Sequence, residues 1–244
     1  MSKPILKRIE QSNGYKFTKL LVKRLAGEEL WLRPEIRVNK LNKGDWLFYP
    51  DSLNSESVVY SFGVGENIDF DLILIDQFDL AVHAFDPTPS TVDWLSAQPD
   101  IPENLDFHPW AVTDSDGMIT LYPRVRGKKK SKVMYTLIAE EGVAESGVDV
   151  PALTIGTIMS KLGHDHIDLM KIDIEGAEYD VLDNMLDSSI KPEQLLVEFH
   201  HRIPGIGPKK TARVIRRLRE TGYRLFAISE TGRELSFLLE TERQ

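Results

Sequence analysis

Cysteine is absent from all 244 residues, so the chain has no disulfide framework, no thiolate metal site and no cysteine nucleophile. Long apolar runs are missing too, and nothing approaches the roughly 20 residues of a membrane span. The opening Met1-Ser2-Lys3-Pro4-Ile5-Leu6-Lys7-Arg8 lacks the apolar stretch of a signal peptide. A cytoplasmic protein with no membrane partner is the expectation. Basic residues are in deficit, 30 against 38 acidic ones, for a formal charge of -8. That balance argues against coating nucleic acid by bulk electrostatics and leaves local basic patches to be judged separately. What remains, 41% apolar and 28% charged residues, is ordinary for a globular protein, and the length suits one large α/β domain or a domain with a small appendage, of which a single domain is expected.

Residues 1–50 carry Trp31, Trp46, Phe48 and Tyr49 but no sustained period, and read as an N-terminal extension packed on a domain of residues 51–244. From Ser57 onward, β-branched or aromatic runs at 57–62, 79–85, 105–112, 167–172, 194–199, 223–229 and 234–239 read as strands. Helical patterns lie between several of them, at 66–77, 90–98, 154–162, 176–186 and 208–221. This alternation predicts a doubly wound, mostly parallel α/β sheet with right-handed crossovers. Ala177, Val181, Leu182 and Met185 form one apolar stripe, and Ala212, Ile215 and Leu218 another, the latter on a helix ended by Gly222 with Arg213, Arg216, Arg217 and Arg219 outward. Only residues 230–233 join the last two strands, too few for a crossover helix, so they pair as an antiparallel hairpin.

Leu169-Met170-Lys171-Ile172-Asp173-Ile174-Glu175-Gly176-Ala177-Glu178 carries the most chemistry. An apolar strand there runs into Asp173 and Glu175 and then into a helix, and ligands of open α/β sheets sit at the carboxyl ends of strands. Val58–Phe62 behaves likewise, ending in Gly63-Val64-Gly65-Glu66-Asn67, a glycine turn that lets a backbone approach a cofactor. Asp86 lies 23 positions beyond Gly63 at the next strand end, which is the spacing of an acid that hydrogen-bonds the ribose of an adenosine-containing cofactor. The third glycine of a dinucleotide fingerprint is replaced by Ile68. A third strand ends in Thr113-Asp114-Ser115-Asp116-Gly117, where Asp114 could recognise adenine and Asp116 reads as an Asx turn. The strand Leu195–His201 delivers Glu198 and His200 to a neighbouring tip as candidates for proton transfer. Asp173 and Glu198 could also hold a divalent ion, but carboxylates at strand tips more often hold cofactor or substrate, so no metal is expected to be required.

Together, residues 58–66, 84–89 (Ala-Phe-Asp-Pro-Thr-Pro), 111–117 and 171–178 (Lys-Ile-Asp-Ile-Glu-Gly-Ala-Glu) resemble the FkbM-type S-adenosylmethionine-dependent methyltransferases, over about residues 57–239. The resemblance implies a class I methyltransferase fold, a seven-stranded sheet with one antiparallel strand from the last hairpin. It implies S-adenosyl-L-methionine as cofactor, held by Phe62, Gly63, Gly65, Glu66, Asp86, Pro87, Asp114 and Asp173, and it makes Asp173, Glu175, Glu198 and His200 the catalytic candidates. Class I enzymes usually carry an acid two residues before the first glycine, where this chain has Ser61. The implied reaction is transfer of a methyl group to a hydroxyl of a small molecule, a sugar or natural product.

Two segments support a rival reading as a nucleic-acid-binding protein or nucleic-acid methyltransferase. Residues 203–212, Ile-Pro-Gly-Ile-Gly-Pro-Lys-Lys-Thr-Ala, resemble the hairpin of a helix-hairpin-helix module. That module needs a preceding helix, whereas 194–200 reads as a strand, so the segment is expected to be a loop feeding a helix at Pro208. Residues 124–132 hold six basic side chains in nine positions, and read as a loop that could contact an anionic acceptor.

Overall fold

The computed structural model describes residues 13–43, 46–126, 129–136 and 146–240, with the side chains of 13–17, 124–126 and 129–136 outside the description. Seven strands form the central sheet: β3 (Val58–Phe62), β4 (Ala81–Phe85), β5 (Leu105–His108), β10 (Leu169–Ile172), β11 (Gln194–Glu198), β12 (Tyr223–Ile228) and β13 (Glu234–Leu239). Their order is β5-β4-β3-β10-β11-β13-β12. Pairing is parallel except at β13, which runs antiparallel between β11 and β12, as the short 230–233 connection requires.

Helices cover both faces. One apolar cluster joins Tyr60, Phe62, Met170, Ile172, Leu195 and Val197 to α4 (Ile155–Leu162), α5 (Glu178–Asp187) and α6 (Pro208–Glu220). The opposite cluster joins Val59, Leu169 and Leu196 to α2 (Asp69–Phe78) and α3 (Pro89–Ser96). Alternate residues of each strand thus feed opposite layers. In α5, Val181, Leu182 and Met185 are buried as expected. In α6 the stripe is rotated: Thr211, Val214, Ile215 and Leu218 are buried, while Ala212 is exposed. The rotation lets Arg213 and Arg217 reach Asp183 and Asp187 on α5, and lets Lys210 reach Asp180.

Other boundaries differ from the sequence expectation for local reasons. The run 105–112 breaks into β5 and β6 (Ala111–Val112), because Pro109 has no N–H for a ladder. β6 leaves the main sheet and joins β7 (Gly117–Arg126), β8 (Lys129–Thr136) and β9 (Val148–Leu153) in the order β6-β9-β7-β8. The described parts of the basic segment, 124–126 and 129–132, therefore lie on two antiparallel strands, where a loop was expected, and its basic side chains lie outside the described residues. α2 starts at Asp69, with Ile68 buried in the core where a dinucleotide fingerprint would have glycine. Residues 203–207 form a turn after β11 and lead into α6 at Pro208, with no helix before them.

Before residue 50 the chain forms α1 (Asn13–Leu25) and a hairpin of β1 (Leu41–Lys43) and β2 (Trp46–Phe48). Trp46 and Phe48 are buried against Phe70 of α2. Further on, Glu29 accepts hydrogen bonds from His201 at 3.0 Å and from Arg202. Burial pushes the Glu29 pKa up, but these two donors prevail and hold it below its ordinary value. No helix among the described residues is long and apolar enough to cross a membrane.

The side chain of Gln194, fully buried, is spent on backbone: Oε1 accepts from the Tyr49 N–H at 2.9 Å and Nε2 donates to the Tyr49 carbonyl at 2.8 Å. Gln194→Leu leaves both groups without partners, at roughly 1–3 kcal/mol each. Urea unfolding should show that loss with an unchanged m-value; an unaltered midpoint would mean that water replaces the amide.

Candidate active site

Three strand tips meet because position 63 has no side chain. Gly63 sits at φ +74°, and a Cβ there would lie 1.7 Å from the backbone oxygen of Asp173. Its N–H donates to the Phe85 carbonyl at 2.8 Å, and the Asp173 N–H donates to the Phe62 carbonyl at 3.1 Å. The tips of β4, β3 and β10 are thereby laced together. Asp86, buried at the end of β4, accepts from the Gly65 N–H at 2.9 Å and from the Thr88 N–H at 2.8 Å. It fixes the glycine turn to the start of α3, and each of its oxygens keeps a further lone pair.

Of the residues expected at the site, Phe62, Gly63, Gly65, Asp86, Pro87, Asp173 and Glu175 line one cleft of about 240 Å³. Trp110, Val112 and two residues of β7, Ile119 and Leu121, make an apolar wall that the sequence reading missed. Their signal was the alternation of Ile119 and Leu121, masked by the adjoining basic residues. Two expected cofactor residues lie outside. Glu66 is exposed and borders a separate hollow with Trp94, while Asp114 is exposed and the buried Thr113 takes the place on the wall. Asp116, expected to form an Asx turn, instead accepts from the Thr154 N–H at 2.7 Å and the Thr157 hydroxyl at 2.6 Å, and so anchors the start of α4, whose N-cap is Thr154.

Ser61 is fully buried and pairs in register with Lys171 of β10. Both face Asp71 in the first turn of α2, whose pKa burial raises and the Lys171 ammonium pulls back. A buried carboxylate therefore stands beside the position where class I enzymes usually carry an acid. The Lys171 ammonium also lies 3.4 Å from the Gly63 carbonyl. A second cavity, of about 660 Å³, shares Gly63 and Asp173 with the cleft and adds Trp46, Asp71, Lys171, Glu198 and Glu234.

Four carboxylates surround His200. Its Nε2 lies 3.8 Å from Asp173, 3.6 Å from Glu175 and 3.7 Å from Glu198, and its Nδ1 lies 3.5 Å from Glu178. Glu178 is fully buried and accepts from the Gly176 N–H at 2.8 Å and the His200 N–H at 2.7 Å, tying the turn after β10 to the end of β11. Glu175 holds this turn with φ +51°, an unusual conformation for a side-chain-bearing residue. Burial disfavours charge on His200, but the surrounding acids prevail and raise its pKa to about 9. Burial and the neighbouring Asp173 raise Glu198 to about 7, against His200 and Arg233, which sits 2.9 Å away. Asp173 is also raised by burial, against Lys171 and His200. Asp173, Glu198 and His200 each offer a ligand atom within 4.8 Å of the others, yet an imidazolium there competes with any metal ion.

A parallel sheet with β13 reversed beside β11, and with a cleft opening at the tips of β3, β4 and β10, defines the class I methyltransferase type of fold. The methyltransferase FkbM domain model matches residues 43–225, and the chain belongs to that family. Probable methyltransferase-like protein 24 of Homo sapiens is 25% identical over 154 residues, which cover 62% of this chain and 35% of that protein. The methyltransferase FkbM from Methylobacillus flagellatus KT aligns at TM-score 0.46 and 13% identity over 76% of this chain and 44% of its own. A precorrin-6y C5,15-methyltransferase from Geobacter metallireducens GS-15 aligns at TM-score 0.40 and 8% identity over 77% of this chain and 83% of its own. The chain thus spans about a third of the length of the curated relative it matches.

Two glycines of one turn should respond differently to alanine. Gly63→Ala drives a methyl into the Asp173 carbonyl and should cost about 4 kcal/mol or prevent folding. Gly65→Ala, at φ +57° with no atom within 4 Å of the added carbon, should cost only about 1–2 kcal/mol. Equal losses in thermal melts would contradict the close approach of β3 to β10.

Stability should fall as pH rises. His200 is raised, so its contribution is complete below its unfolded value of roughly 6.5 and is lost through about 9. Glu198 is an acid raised to about 7, so its ionisation removes further stability between roughly 4.3 and 7. Between pH 7.5 and 9.5 the urea midpoint of the native chain should drop more steeply than that of a variant carrying both His200→Gln and Glu198→Gln. Parallel curves would show that His200 carries no excess proton in the folded state.

Proposed function

We propose that this chain binds S-adenosyl-L-methionine in the cleft at the tips of β3, β4 and β10, and transfers its methyl group to a hydroxyl of a small molecule, a sugar or natural product. The observation that carries this reading is the convergence of Gly63, Asp86 and Asp173 on one open cleft from three separate parts of the sequence. The residues present suit that cofactor. The spare acceptor capacity of Asp86 matches ribose hydroxyls, Trp110 and Val112 offer an apolar face to adenine, and the turn Phe62–Gly65 brings backbone to the methionine end. Asp173 lines both the cleft and the larger cavity, so it would meet the methyl group of a bound cofactor on the side of the acceptor.

The cofactor supplies an already electrophilic methyl, so the protein's task is to align an acceptor and remove its proton. The larger cavity next to Asp173 is the acceptor's place. Its acid-rich lining favours a neutral polyhydroxylated molecule over an anionic one. Glu198 is the base, because it titrates near neutrality on the rim of that cavity. His200, an imidazolium at neutral pH, holds Asp173, Glu175 and Glu198 in place and offsets their charge. The nucleic-acid reading has less behind it. Residues 203–207 follow a strand, and the basic side chains of α6 at 210, 213 and 217 are paired with α5.

Calorimetric titration should show saturable binding of S-adenosylmethionine and of its demethylated product, weakened at least tenfold by Asp86→Ala. Absence of binding by both ligands would sink the assignment. Incubation with cofactor carrying a deuterated methyl and a metabolite extract should then label a small hydroxylated compound, about 100-fold more slowly for Glu198→Gln. Label found in RNA or DNA would overturn the acceptor class.

A further inference from the structure

A second cluster of potential ligands lies away from the strand-tip acids, on the face of the sheet that carries α4. His83 of β4 stands directly opposite Asp106 of β5 in the parallel register, and His108 follows two residues later, so all three side chains leave the same face. One oxygen, Asp106 Oδ2, lies 3.1 Å from His83 Nδ1 and 3.0 Å from His108 Nε2. A ligand atom from each of the three lies within 4.8 Å of the other two. From the loop after α4, His164 packs edge-on against His83 with ring centroids 4.7 Å apart, and the Tyr60 hydroxyl holds its Nδ1 at 2.7 Å.

We propose that His83, Asp106 and His108 form a site for a zinc-class divalent cation. Two imidazoles and one carboxylate suit zinc rather than magnesium or calcium, which take oxygen ligands. Ligand atoms about 2.0–2.1 Å from a tetrahedral zinc lie about 3.3–3.4 Å from one another, close to the 3.0 and 3.1 Å separations found here. A simple carboxylate bridge between two histidines leaves one atom unexplained: His108 Nε2 is buried and makes no aligned hydrogen bond, although the carboxylate is near. A cation gives that nitrogen a partner. Both strands are fixed in the sheet, so the ligands are held in position before the ion arrives.

The site is joined to the cofactor cleft by stacked rings. His108 stacks on Trp110 at 4.6 Å and on Phe85 at 5.0 Å, and both of those rings line the cleft. An ion on His108 would hold that wall in one arrangement.

The test uses the full chain after chelator treatment, titrated calorimetrically with zinc chloride and, separately, magnesium chloride. Expected is one saturable zinc event, no magnesium event, and a zinc-induced rise in melting temperature. Asp106→Asn and His108→Gln should each weaken the zinc event at least tenfold and abolish the rise, whereas His200→Gln should leave both in place. Asp106 is half-exposed and asparagine matches its shape, so that variant keeps the test valid even if His108→Gln proves unstable. Absence of a saturable event, its survival in Asp106→Asn, or its loss in His200→Gln would each overturn the proposal.

Discussion

The close approach of Gly63 to the Asp173 carbonyl is the constraint on which the cleft depends. At that point, just past the last paired residues Phe62 and Ile172, the two chains are still tied by the hydrogen bond from the Asp173 N–H to the Phe62 carbonyl, and a Cβ of any kind would push them apart. With the tips held together, one glycine turn can be fixed to β4 through Asp86 while Asp173 is presented beside it. The cleft is thus a by-product of strand pairing continued one residue past the usual end, and its shape is as rigid as the sheet beneath it.

Charge at these tips is arranged around two buried cations. Lys171 sits beneath the glycine turn, between the Gly63 carbonyl and Asp71, and His200 sits among Asp173, Glu175, Glu178 and Glu198. Glu178 is the least exposed of these acids and makes no approach to the cleft, yet its two backbone hydrogen bonds position the turns on which the others are carried. Burying so many carboxylates together has the expected consequence, since one of them, Glu198, is moved into the range where it exchanges protons near neutral pH. The same crowding that costs stability makes a proton acceptor.

The small sheet β6-β9-β7-β8 changes what the cleft can hold. Without it the parallel strand tips would open directly to solvent; with it, Ile119 and Leu121 face the glycine turn across an apolar gap. Trp110 stands where the two sheets diverge, and the rings of Trp110 and Phe85, both stacked on His108, connect the cleft to the histidine cluster at the edge of the main sheet. The proposed adenine contact and the proposed metal site therefore converge on one set of rings.

Most of the main sheet was legible in the sequence because its strands are short apolar runs bounded by glycine and aspartate, and the four-residue connection at 230–233 dictated the antiparallel strand. Gly63, Asp86 and Asp173 were legible as well, since strand tips in such sheets point to a single crevice. The insertion was not legible. Pro123 and the lysines and arginines after it hide the two-residue alternation of β7, and Pro109 silently divides one apolar run between two sheets. Glu66 and Asp114 each fall one residue of loop beyond the cleft lining, at Gly65 and Thr113, because periodicity gives no register in loops. The chain by itself determined which strands exist and which carboxylates end them, because burial and turn chemistry are local. Only tertiary structure decided that His200 gathers four acids and that His83, Asp106 and His108 share one face, because both depend on which strands lie side by side.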